Sequence, residues 1–229
     1  MKQLLLDILP SSSPTLINFV PGRNIELLQT IKNILAGDEK EHFIFLWGKI
    51  GCGKSHLLQA IANDYTHRKL NIKYIKCDAL CDGDAEFSEI MDSDYIAIDD
   101  VDRLNSSAQI NLFNLYNQVR DEGHAIFLVS SSTAPAQLSL REDLVTRLRW
   151  GLVYQVYELT DEEKIQAMKN HATGHGFNLS EEICTYLLRH GQRDLPSLIA
   201  VLNALDRYSL ANQRQISIPV LRELMLTTA

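Results

Sequence analysis

Gly48-Lys49-Ile50-Gly51-Cys52-Gly53-Lys54-Ser55 decides the fold. It sits between the apolar run Phe43-Ile44-Phe45-Leu46-Trp47 and the segment Ser55–Asn63. Triphosphate oxygens need several donors converging on one cavity. A glycine-rich turn lets consecutive backbone N–H groups point inward, and the N-terminus of the following helix adds its dipole. Gly48, Gly51 and Gly53 supply the turn. Lys54 is placed to reach the β- and γ-phosphates, and Ser55 to ligate Mg²⁺. The pattern carries this meaning only in the order strand, loop, helix, which the flanks provide.

A second motif follows at a suitable distance. Tyr95-Ile96-Ala97-Ile98-Asp99-Asp100 is a short apolar strand ending in two carboxylates. Asp99 would orient Mg²⁺, directly or through water, and Asp100 would stand where a carboxylate can position an attacking water. Apolar runs predict further strands at His42–Trp47, Ile72–Cys77, Tyr95–Ile98, Ala125–Val129 and Leu152–Tyr157, with helices over Lys54–His67 and Ser107–Glu122. An earlier helix starts after Asn24, expected as its cap, and ends at Gly37. Strands alternating with helices predict an α/β domain: a parallel sheet with helices on both faces. From Thr160 the pattern changes. Thr160 and Glu163 form a capping box. Helical spacing then recurs over Lys164–His171, Ser180–Arg189, Leu195–Asn212 and Pro219–Met225, which predicts a small all-helical unit. The expected organisation is a tail and linker at 1–14, the α/β domain at 15–158 and the helical domain at 159–229.

The chain of 229 residues is long enough to bury a core without covalent staples. Its formal net charge of −7 argues against coating DNA by broad charge neutralisation, though not against a local basic site. Four cysteines are no disulfide framework, and Cys77 and Cys81 have no second pair to complete a metal site. Reduced thiols and a cytoplasmic location are expected. The apolar start is too short for a signal peptide and is broken by Asp7. No stretch approaches the length of a membrane span. His171 and His175 have a zinc-compatible spacing but no His-Glu motif between them, so they read as surface histidines near a helix end.

The flanks of the motifs narrow the family. Asn18-Phe19-Val20-Pro21-Gly22-Arg23-Asn24 resembles the opening of the ATPase domain of bacterial DnaA initiators. Leu144-Val145-Thr146-Arg147-Leu148-Arg149-Trp150-Gly151 resembles their arginine-finger segment, and Arg193-Asp194-Leu195 their sensor II segment. These are AAA+ ATPases, and the resemblance covers nearly the whole chain after the tail. Two departures matter: the chain stops where an initiator would continue into a helix-turn-helix domain, and Asp78–Ser93 is short. Both are similar to the Hda type of regulator within this family. Gln3-Leu4-Leu5-Leu6-Asp7-Ile8 resembles that type's sliding-clamp motif, with Gln3, Leu4, Leu6 and Ile8 matching best. The linker Pro10-Ser11-Ser12-Ser13-Pro14 would let the peptide reach a pocket on the clamp.

The resemblance implies that Phe19 and Val20 line an adenine pocket and that Arg193 reaches the phosphates from a helical lid. Pro196 departs from the usual sequence but is tolerable in a first helical turn. Ser130-Ser131-Ser132 lies where sensor I is expected, and relatives often carry an acid aligned with Ser132; a serine can hydrogen-bond there without supplying charge. The implied function is an ADP- or ATP-binding regulator. With the DNA-loaded sliding clamp, it would promote hydrolysis of ATP on DnaA through Arg147 and so restrain re-initiation of replication. Arg147 read structurally would pack on Trp150 or pair with Asp143. Neither the working nucleotide nor the chain's own turnover is specified. AAA+ sites are commonly completed between subunits, which leaves room for a homo-oligomer. Two rivals are a DNA-engaging ATPase, such as a truncated initiator or helicase loader, and a stand-alone P-loop kinase. The acidic charge counts against the first and the helical lid against the second.

Overall fold

The computed structural model describes residues 13–77, 92–123 and 125–227. The chain divides into two compact units, one spanning Pro14–Glu158 and one holding the helices from Leu159 onward. The tail residues Gln3, Leu4, Leu6 and Ile8, Cys81 and most of the Asp78–Ser93 stretch lie outside the described residues.

In the first unit the elements run α1 (Ile25–Ala36), β1 (Phe43–Trp47), α2 (Lys54–His67), β2 (Ile72–Lys76), β3 (Tyr95–Asp99), α3 (Ser106–Glu122), β4 (Ile126–Ser131), α4 (Glu142–Leu148) and β5 (Leu152–Gln155). The five strands form one sheet in the order β2-β3-β4-β1-β5. Every neighbouring pair is parallel. A parallel sheet with both faces covered needs strands that are apolar on both sides, and β3 and β4 are buried along their whole length. Alternate residues divide between two cores. Phe45, Ile96, Ile98, Phe127 and Val129 pack with Leu112, Tyr116 and Val119 of α3 and Leu144 and Leu148 of α4. Ile44, Leu46, Tyr95, Ala97 and Leu128 pack with Leu27 and Ile31 of α1 and Leu57, Leu58 and Ile61 of α2.

Helix α4 was not expected from sequence. At seven residues it is too short to show a period. Its two buried positions, Leu144 and Leu148, stand among Arg141, Glu142, Asp143, Arg147 and Arg149. The expected strand Leu152–Tyr157 also ends earlier, at Gln155. Its continuation is claimed by Asn24. The Asn24 amide donates to the Tyr157 carbonyl (2.9 Å) and its Oδ1 accepts from the Tyr157 N–H (2.7 Å). Asn24 therefore does not cap α1 with its side chain, as expected from sequence; it makes no side-chain cap bond and clamps a strand end 133 residues away. Arg23 adds a cation–π contact on the Tyr157 ring at 4.7 Å.

The second unit contains α5 (Asp161–Gly174), α6 (Glu181–His190), α7 (Leu195–Asn212) and α8 (Ile218–Thr227). The starts of α5, α6 and α7 are capped by polar side chains. Thr160 and Glu163 form the reciprocal box, Ser180 accepts from Ile183 N–H, and Asp194 from Ser197 N–H, with Pro196 in the first turn. Met168, Leu187, Leu198, Leu202, Leu205 and Leu221 form the core. No described helix is long and apolar enough to cross a membrane.

Asn24 is 3% exposed, so Asn24→Ala removes both bonds to Tyr157 from a buried side chain. The expected loss is roughly 2–4 kcal/mol in urea unfolding of the chain; a loss under about 0.5 kcal/mol would show that water replaces the amide.

Candidate functional site

The loop of residues 48–53 leaves the C-terminal end of β1, the strand between β4 and β5. Its first residue is pinned on one side, where Gly48 N–H donates to the Ser131 carbonyl (3.2 Å). Next to it, Trp47 O accepts from Val156 N–H (2.7 Å). A Cβ at residue 48 would lie 2.4 Å from the Val156 carbonyl oxygen, a distance that excludes any side chain. Gly51 and Gly53 hold φ of 82° and 104°, conformations costly for other residues. Helix α2 starts at Lys54 with its first amides unsatisfied by the helix itself. Lys54 is buried and its Nζ donates to the carbonyls of Gly48 (2.8 Å) and Lys49 (3.1 Å). Two carbonyls and the Cys52 sulfur at 3.9 Å hold this ammonium, so an anionic phosphate is a stronger partner for it.

Phe19 closes one side of the loop. It is 8% exposed, and a Cβ on Gly53 would meet its ring at 3.0 Å. The ring lies 5.7 Å from that of His56. His56 Nε2 is 3.1 Å from the Thr15 carbonyl, and Asn63 of α2 donates to the Pro14 carbonyl (2.8 Å). These contacts lay residues 14–19 along α2, with half-buried Val20 following. Phe19 and the phosphate loop are thus brought together by contacts that no local pattern announces.

Asp99 is wholly buried at the end of β3. Its Oδ2 accepts from the Tyr74 hydroxyl (2.6 Å) and its Oδ1 from the Ser130 hydroxyl, whose oxygen accepts from Asp100 N–H (2.9 Å). Asp100 holds a left-handed backbone with φ of 60°. Burial and then the neighbouring Asp99 charge push its carboxyl above the ordinary range. Tyr74 is a partner of the site carboxylate that sequence reading missed, on a different strand with nothing local to mark it; Ser130 belongs to the expected sensor I stretch, but its bond to Asp99 was not foreseen. The donor set suits its expected ligand. The Ser55 hydroxyl and the Asp99 carboxylate are hard oxygen donors of the kind Mg²⁺ takes, and the Cβ-excluding loop leaves backbone amides open to phosphate.

Ser132, at the expected sensor I position, is tied to Asp102. Its hydroxyl donates at 2.6 Å and its N–H at 3.2 Å. Burial alone would raise the Asp102 carboxyl, but these bonds outweigh it and hold it below its ordinary value. Arg147 stacks on Trp150, Cζ to ring centroid 4.1 Å, and lies 5.7 Å from the Phe113 ring. Its Nε is buried with no hydrogen-bond partner. Asp143, the alternative partner, is taken by Arg141 at 2.7 Å. Arg120 approaches the same indole at 4.8 Å. In the helical unit Arg193 is exposed and paired with Asp161 at 2.6 Å. His171 contacts Asn203 Oδ1 through Nε2 at 2.7 Å, and no metal-binding group of His, Cys, Asp or Glu occurs among the described residues.

Residues 12–155 match the model of the bacterial DnaA ATPase domain, and residues 161–225 match that of the Hda lid domain. The chain belongs to the DnaA-related AAA+ family and is Hda-like. A protein of Haemophilus influenzae described as uncharacterized is 32% identical over 228 residues, 98% of each chain. Domain III of the Thermotoga maritima replication initiation protein DnaA superposes with a TM-score of 0.74 at 23% identity, over 93% of this chain and 95% of that one. AMPPCP-bound DnaA from Aquifex aeolicus gives 0.70 at 25% identity over 83% of this chain; the match spans 64% of that chain. The α/β unit is therefore a DnaA-type AAA+ domain and the helical unit an Hda-type lid.

The Asp102–Ser132 pair titrates in a defined direction. With the folded carboxyl depressed, its contribution to stability is present above the ordinary value of about 4 and is lost as pH falls through the depressed one. Ser132→Ala should raise the Asp102 midpoint towards that ordinary value in carboxyl ¹³C NMR; an unmoved midpoint would mean the hydroxyl does not hold the charge.

Proposed function

We propose that this chain is an adenine-nucleotide-binding regulator of DnaA, and that it promotes hydrolysis of the ATP bound to the initiator. Gly48, Gly51, Gly53 and Lys54 would hold the phosphates of ADP or ATP, and Ser55 and Asp99 would hold Mg²⁺. Phe19 and Val20 would face the adenine, and Arg193 would reach the phosphates from the lid. AMPPCP on the Aquifex aeolicus DnaA supports an adenine nucleotide as the ligand. Docking on the DNA-loaded sliding clamp would use Gln3, Leu4, Leu6 and Ile8, and the setting would be the cytoplasm.

The observation that carries this reading is the pairing of a DnaA-type ATPase domain with an Hda-type lid in one chain. Arg147 supports it locally. Its guanidinium is held by aromatic faces, with no carboxylate partner among the described residues. Such a cation retains its capacity for an external anion. Presented to the triphosphate of a neighbouring DnaA, it would stabilise charge that develops on the transferring phosphoryl group, an effect of about a thousandfold or more. In the chain's own site Asp99 would orient Mg²⁺ and Asp100 would position the attacking water, and that site could also be completed in a homo-oligomer. The rival reading, a DNA-engaging ATPase, gains nothing from a chain with net charge −7.

The nucleotide assignment is tested on the isolated chain. Lys54→Ala should weaken ADP binding in calorimetry by at least about a hundredfold, the cost of an unreplaced charge-assisted contact of 3 kcal/mol or so, with the fold retained by circular dichroism. Undiminished affinity in the folded variant would remove the phosphate site. The regulatory reading is tested by DnaA-ATP hydrolysis with DNA-loaded clamp present. The intact chain should accelerate it, removal of residues 1–9 should abolish clamp docking, and Arg147→Ala should lose the acceleration while clamp and nucleotide binding persist. Arg149→Ala removes the same charge two residues away and should be milder. Equal losses would point to surface charge, and full acceleration by the Arg147 variant would refute the finger role.

A further inference from the structure

Ser55 and Gln59 stand four residues apart in α2, one above the other on the same side of the helix. Gln59 Nε2 donates to the Tyr74 hydroxyl (3.3 Å), and that hydroxyl donates to Asp99 Oδ2 (2.6 Å). The tyrosine proton goes to Asp99, and the hydroxyl oxygen takes the Gln59 amide. One relay thus runs from α2, a turn beyond Ser55, across β2 to Asp99 on β3. Ser130 fixes the other oxygen of the same carboxylate from β4. The two donors leave each oxygen of Asp99 with further lone-pair capacity.

We propose that Tyr74 is a positioning residue for the metal site: through Gln59 and Asp99 its hydroxyl ties the Ser55 end of α2 to β3, setting the span between the two oxygen donors assigned to Mg²⁺. The inference rests on the assignment of Ser55 and Asp99 made above. Tyr74 also packs at the margin of the α2-side core, a task a phenylalanine ring performs equally well. The hydroxyl is what the packing does not require. Partners of metal ligands fix ligand orientation and raise affinity in this way.

The test measures ADP affinity by calorimetry in excess Mg²⁺ and again in EDTA, on the full chain. The quantity read is the gain in affinity that Mg²⁺ confers. Asp99→Asn marks the loss of a direct donor. Tyr74→Phe should cut the Mg²⁺ gain by about tenfold and leave the Mg²⁺-free affinity unchanged. Gln59→Ala, at an exposed position, should cut the gain in the same direction but less. An unaltered gain in Tyr74→Phe overturns the proposal. So does an equal loss with and without Mg²⁺, which would assign the hydroxyl to general packing. Should the Phe variant not fold, Gln59→Ala decides, and an unaltered gain there overturns the relay. Failure of the underlying assignment looks different, because the wild-type chain itself would then show no Mg²⁺ gain.

Discussion

Gly48 and the carbonyl of Val156 approach so closely that a single methyl group between them would lie 2.4 Å from the oxygen. That approach exists because β1 occupies the second position from one edge of the sheet, with β4 on one side and the end of β5 on the other. The ladder continues one residue past the strand on both sides, through Gly48 N–H to Ser131 and Val156 N–H to Trp47. A chain held on both sides has to leave the sheet plane in a tight turn, and only glycine passes the gap. The phosphate cradle, the position of Lys54 and the start of α2 all follow from this exit.

The same sheet order sets the carboxylates. β3 and β4 are neighbours, so Ser130 meets Asp99; β2 and β3 are neighbours, so Tyr74 meets it from the other side. A fully buried carboxylate survives in this position because hydroxyls satisfy it. The Asp100 carboxyl is pushed up by its own desolvation and by the charge next door. The two acids that look alike in sequence therefore have different surroundings, one wholly enclosed and bonded, the other half-exposed on a left-handed turn.

Much of this was legible from residue order. The phosphate loop and its strand–loop–helix frame can be read from glycine spacing and apolar runs, since both are local requirements. The capped helices of the lid are legible for the same reason, as Thr160 and Glu163 satisfy each other's backbone three residues apart. Helix α4 was not legible, because seven residues present less than two turns and its charges mask two buried leucines. Asn24 was misread. Asparagine before a helical run is a cap by local rule, yet its side chain formed two bonds with Tyr157, buried and paired, where a cap would have formed one bond near solvent.

The sequence by itself determined the parallel α/β class, the phosphate loop, the acidic strand end and the helical character of the last third, because backbone conformation, periodicity and capping act over a few residues. Tertiary structure alone decided which distant groups complete the site. Phe19 reaches Gly53, Tyr74 and Ser130 reach Asp99, and Ser132 reaches Asp102, while among its near neighbours Arg147 takes Trp150 over Asp143, which Arg141 already holds. These pairings depend on strand order and on competition for partners. Neither is encoded at any single spacing, so neither exists until the sheet has closed and both of its faces are covered.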